Sequence, residues 1–255
     1  ATAAFPVLAA SDGHGANAAA TLERTGRQIA LLSGLAAAVL AATATDLGAF
    51  FTAIDAGREG TGAAALAALP ATMRAFAPGL VGFGLAALLT RAIYVRGRAR
   101  TASLVMGAGW LLAILIPFLA TLGRPGTTPT LRWIGLGSSL GMTFAALGLL
   151  LLVRSAWGLP AVEHIPRTAG AALVAGLLAA GVGGRARGLF PIAEGAVEAV
   201  LAGLGAAVVA AIAFVAWMWV FDSSALALFT PGRRLLGDDA AAEDAEAERV
   251  SRRMT

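Results

Sequence analysis

The sequence predicts an all-α integral membrane protein, and three observations carry that prediction. Of 255 residues, 58% are hydrophobic and only 13% charged, about half the charged share of an ordinary soluble domain. Mean hydropathy is +0.78. Six almost uncharged runs follow one another along the chain, and each approaches the roughly 20 helical residues that a hydrocarbon core of about 30 Å requires. Only helices or closed barrels can cross that core without bare backbone groups. No run alternates polar with apolar residues, and alanine and leucine outnumber valine, isoleucine and tyrosine, which excludes a barrel.

Residues 1–27 read as the end of a preceding helix, Ala1 to Leu8, followed by a cytoplasmic loop. Spans are expected at 28–48, 75–95, 101–123, 133–153, 168–184 and 197–221, which makes 28–222 a six-helix transmembrane domain. The second span includes Arg91, whose guanidinium can snorkel to the headgroups. Between the first two spans Asp55, Gly57, Arg58, Glu59 and Gly60 mark turns, and Ala63 to Leu69 suit a short surface helix. Residues 223–255 form a charged cytoplasmic tail, in which Asp238, Asp239, Glu243, Asp244, Glu246 and Glu248 crowd together. Such a charge run is a solvated segment or a docking element for cytoplasmic partners.

All nineteen basic residues are arginines, and the net charge is +4. They lie scattered between apolar segments, which excludes a nucleic-acid surface. Thirteen fall on the side of the two chain ends and six on the other, Arg58, Arg74, Arg124, Arg132, Arg185 and Arg187. By the positive-inside rule both ends are cytoplasmic. Trp217 and Trp219 fit an aromatic belt on that inner side.

Chemistry is scarce in these runs. Cysteine is absent, which removes disulfides, iron–sulfur clusters and cysteine-based zinc sites. His14 follows a glycine-rich turn and His164 precedes Ile165 and Pro166, so both read as loop residues, with no metal or cofactor expected. No nucleophile with a base, and no carboxylate cluster, lies within a span, so an enzyme is not expected. Asp46, Glu198 and Arg91 sit near helix ends where they can reach water. Arg185 and Arg187 read as snorkelling anchors. The candidate packing and hinge residues are Pro78, Gly79, Gly82, Gly84, Gly137 and Gly141, since small residues permit close backbone approach and proline permits bending.

At the second span, Ala77-Pro78-Gly79-Leu80-Val81-Gly82-Phe83-Gly84 leads into Leu89-Thr90-Arg91-Ala92-Ile93-Tyr94-Val95-Arg96-Gly97, then Arg100-Thr101. This order resembles the arginine-aromatic-tyrosine helix end of MurJ/MviN-type lipid II flippases, of the multidrug/oligosaccharidyl-lipid/polysaccharide exporter superfamily. Phe5-Pro6-Val7-Leu8 with Ser11 resembles that family's Phe-Pro-x-Leu-Ser helix end. Ile93 stands where the family usually has phenylalanine, Val95 replaces a small residue, and Ser11 is displaced by two positions.

The resemblance covers residues 1 to about 222 and implies most of a carboxy-terminal lobe: the end of the eighth and the ninth to fourteenth of fourteen helices. The amino-terminal half of the transporter would then be a missing partner. It implies alternating access, carrying lipid II outward across the bacterial cytoplasmic membrane. It also implies Arg91, Tyr94 and Arg96 as substrate or gate residues, with the last two spans walling a groove for the polyprenyl tail. Membrane lipids and lipid II are the expected partners. Alternatives are another polyprenyl-linked sugar or drug exporter of that superfamily, and a non-transporting membrane scaffold.

Overall fold

A computed structural model describes residues 16–55, 62–123, 126–189 and 195–229. The readings of Ala1 to Leu8, Ser11, His14, Arg58 and most of the acidic tail lie outside them. The described residues form seven α-helices in chain order, besides three single-turn 3-10 helices: α1 (Ala16–Asp55), α2 (Ala63–Phe76), α3 (Gly79–Val95), α4 (Ala99–Ala120), α5 (Thr127–Trp157), α6 (Ile165–Ala186) and α7 (Ala196–Leu226). No strand occurs among them. Helices α1, α4, α5, α6 and α7 are each long and apolar enough to cross a membrane, and the bent pair α2–α3 makes a sixth such unit.

The helices overrun the expected spans. The segment read as a loop before the first span is helical from Ala16, and α1 continues to Asp55. Its 40 residues would measure about 60 Å, twice the thickness of a hydrocarbon core. Charge made residues 16–27 look like a loop, yet alanine and leucine supply helical propensity. Ala18 and Leu22 bury one face of that turn.

The second expected span is broken. Helices α2 and α3 meet at Ala77–Pro78 with a bend of 53°, where proline removes a backbone donor. The expected short surface helix, Ala63 to Leu69, is the first half of α2 and is mostly exposed, with Ala68 fully buried and Pro70 set against Gly48 of α1. Ser139 of α5 repairs the break. Its hydroxyl lies 2.7 Å from the Ala75 carbonyl and 2.9 Å from that of Phe76, and it accepts the Gly79 N–H at 3.1 Å. A single serine thus serves backbone groups that hydrocarbon would leave bare.

The interior is small and the exterior large. Ala38, Ala172, Ala175, Ala206 and Ala210 are buried, whereas Leu111, Ile114, Leu177, Leu201, Ile212 and Trp219 are each more than 60% exposed. Apolar solvent makes this arrangement sensible, because close backbone approach then drives helix association and bulky side chains can face outward.

The candidate glycines map these seams. A Cβ at Gly79 would meet the Ser139 Cα at 2.6 Å, and one at Gly82 the Thr143 nitrogen at 2.8 Å. Gly84 faces Ile29 and Ser33 of α1, while Gly137 and Gly141 face Ala113, Pro117 and Gly109 of α4. Gly82→Ala should therefore lower the thermal stability of the purified protein by the equivalent of about 1–3 kcal/mol. Gly107→Ala, where nothing lies within 4 Å, should leave the unfolding midpoint unchanged or raise it.

Candidate functional site

One end of the bundle holds the start of α1, the end of α3, the start of α6 and the end of α7, and is called the proximal end below. The distal end holds Asp46, Arg74, Arg132 and Arg187.

The residues suggested as a gate lie at the proximal end of α3. Gly97, at φ +68°, ends the helix with bonds from its N–H to Tyr94 and from the Arg98 N–H to Ile93, a closure for which glycine is suited. Arg96 lies over the Trp157 ring, 4.5 Å from its centroid. The Trp157 indole N–H donates to the Ala92 carbonyl at 3.1 Å, so this cation–π contact joins α3 to α5. Tyr94 points to the exposed surface at 46% exposure, and Arg91 is half-buried on the same helix.

A different polar cluster occupies the proximal seam of α1, α6 and α7. Arg27, Thr168 and Asp222 are 8%, 0% and 3% exposed. Asp222 interrupts α7 with φ −155° and ψ 71°, and its Oδ1 accepts the Ala225 N–H at 3.3 Å, which caps the final turn as an N-cap aspartate does. That carboxylate also accepts Ser224 Oγ at 2.6 Å and Thr168 Oγ1 at 2.6 Å. Arg27 donates from Nη2 to Ser224 at 2.7 Å and from Nε to Thr168 at 3.1 Å, and lies 3.4 Å from Asp222. Each hydroxyl gives one hydrogen bond and takes one, so charge and donors balance within a closed network. Glu23 flanks it, 3.8 Å from Arg27 and 3.2 Å from His164 Nδ1. His164, read as a loop residue, stands at the N-cap position of α6.

Neither the length of the runs nor their spacing indicates this cluster. The available signal is weaker: Arg27 and Asp222 flank the first and last apolar runs on the same predicted side.

At the distal end Asp46 is 2% exposed and accepts a hydrogen bond from Arg187 Nε. This corrects the reading of Asp46 as a group that reaches water and gives Arg187, read as a snorkelling anchor, a carboxylate partner. Asp46 lies nineteen residues after Arg27, roughly 28 Å along a helix, so two ion pairs bracket one membrane-thick length of α1.

Between these ends runs an apolar fissure. Val81, Leu85, Thr143, Leu147, Gly170 and Leu173 line a cavity of about 210 Å³ between α3, α5 and α6. Val81 and Leu173 also line a narrower crevice of about 30 Å³ on the side of α1, which reaches Pro78 and Arg74. Along α6 the lining runs from Pro166 to Ala180, about 21 Å of helix. Val81 and Leu173 are shared by the two linings, which offer no charged group until Arg74.

Comparison with known protein families, with characterised proteins and with solved structures finds no match to this chain.

Removing one partner of the proximal pair should cost far more than replacing both. Asp222→Ala is expected to destabilise the purified protein by about 3 kcal/mol, because it strands a buried guanidinium. The pair Arg27→Met with Asp222→Leu should cost less than the sum of the single changes. Thermal unfolding in detergent checks this, and strict additivity would contradict a coupled network.

Proposed function

We propose that this chain is part of a membrane transporter that carries lipid II, the lipid-linked peptidoglycan precursor, across the bacterial cytoplasmic membrane by alternating access. The apolar fissure between α3, α5 and α6 is the observation that carries the proposal. A polyprenyl tail needs an apolar wall, and the residues that line the two parts of the fissure are spread along about 21 Å of α6. A single serine patch at the Pro78 break gives α2 and α3 a joint about which they can turn, as broken helices of transporters do. The order of Pro78, Gly79, Arg91, Tyr94 and Arg96 adds the resemblance to the flippase family.

In this reading the arginine-rich proximal end faces the cytoplasm. Arg91 meets the head of the lipid there. Arg96 holds the α3–α5 junction through Trp157, so its effect on transport passes through the position of α3.

Expressed from its complete reading frame in cells depleted of their lipid II flippase, the protein is expected to restore precursor export, measured by surface labelling of lipid II. Arg91→Ala should lower that export at equal membrane abundance. A correctly inserted protein that restores none would remove the reading. Export of other polyprenyl-linked sugars in the same assay would favour another exporter of the superfamily.

A further inference from the structure

We infer that Arg74 and Arg132 form a binding site for the phosphate of a polyprenyl lipid at the distal end of the fissure. The inference rests on the proposed lipid-carrying function and adds where the charged head is held there.

A hollow of about 370 Å³ lies between α2 and α5, lined by Ala71, Arg74, Ala75, Arg132 and Leu136. Two guanidiniums and no carboxylate face it. The spacing is fixed by backbone contact one turn away: a Cβ at Gly135 would meet the Thr72 carbonyl at 2.6 Å, so α2 and α5 are pressed together beside the two arginines. Arg74 is steadied by the Thr45 hydroxyl, to which its Nη2 donates. Arg132 has no hydrogen-bond or ion-pair partner among the described residues. Three other arginines near helix ends are engaged within the bundle, since Arg187 serves Asp46, Arg27 serves Asp222 and Arg96 lies on Trp157.

Arg74 also lines the narrow crevice that contains Pro78, Val81, Leu173 and Leu177. One side chain therefore belongs to both the charged hollow and the apolar slot. A ligand that reaches from the hollow into this crevice, which at about 30 Å³ admits only the start of a tail, must be amphipathic, with an anionic head that two arginines can share through several N–H donors and an apolar tail. Phosphate satisfies the first demand through charge-assisted hydrogen bonds, and a single polyprenyl chain satisfies the second. Snorkelling to bulk headgroups would need neither the hollow nor the shared lining.

Native mass spectrometry of the purified chain separates these cases, with a polyprenyl phosphate, the polyprenol of equal length and inorganic phosphate as probes. The polyprenyl phosphate should be retained roughly tenfold better than the polyprenol, and Arg132→Gln should remove most of that preference, the factor expected for one lost charged hydrogen bond. Arg74→Gln should do the same while leaving polyprenol binding in place. Equal retention of the two lipids, or a preference unchanged in both variants, would overturn the site. Displacement of the lipid by inorganic phosphate at concentrations matching the polyprenyl phosphate would reassign it to a free anion and also overturn it. Phosphate-dependent binding without export in depleted cells would sink the transport reading and leave the site standing. Export together with indifference to the phosphate would do the reverse.

Discussion

Helix α1 is held at both ends by buried charge. Arg27 closes it against Thr168 and Asp222, and Asp46 closes it against Arg187. Between these clamps the seam to α6 and α7 is made of small residues, with Gly34 against Ala172 and Gly183 against Ala42, Ala206 and Ala210. Small residues let the helices approach but specify little about sliding along one another. In an apolar solvent no hydrophobic force selects a register either. Two ion pairs roughly 28 Å apart along the helix fix that register, and each is costly to break from one side only.

A division of the bundle follows. Helices α1, α6 and α7 share one core, built on Leu31, Ala38, Ala175, Phe214 and Met218. Helices α3, α4 and α5 share another with the first turns of α1 and the start of α6, built on Leu22, Leu88, Ile93, Val153 and Ile165. The second core sits at the proximal end, where Trp157 and Arg96 strengthen it. Beyond it α3 and α6 are not closely packed, and the fissure is the space left over. Bending at Pro78 carries α2 away from the line of α3 and brings Arg74 to the distal mouth. A bulky residue at Gly79 or Gly82 would move α3 off α5 and change the width of that slot.

Apolar length was legible in the sequence because it depends on local composition alone. Helix ends were not, since Arg24 and Arg27 look like loop residues until Leu228 and Asp222, 204 and 195 positions away, come into contact with them. Pro78 signalled a bend, but Ser139, the residue that satisfies the broken backbone, lies 60 positions after Gly79 and has no signature of its own. The glycines announced close approach without naming their neighbours. Arg96 was a gate candidate through the family resemblance alone, which does not show what the side chain touches. Trp157 supplies that contact from another helix. Local pattern gave each candidate; long-range pairing sorted structural from available charge.

The decisive quantity is where a lipid chain sits. A diazirine-bearing polyprenyl phosphate, activated by light on the purified protein in a bilayer and mapped by mass spectrometry, reports this directly. Labelling concentrated on Val81 to Leu85 of α3 and Pro166 to Ala180 of α6 is the predicted result. Labelling spread in proportion to exposure over Leu111, Leu201 and Ile212, with none in the fissure, would contradict it.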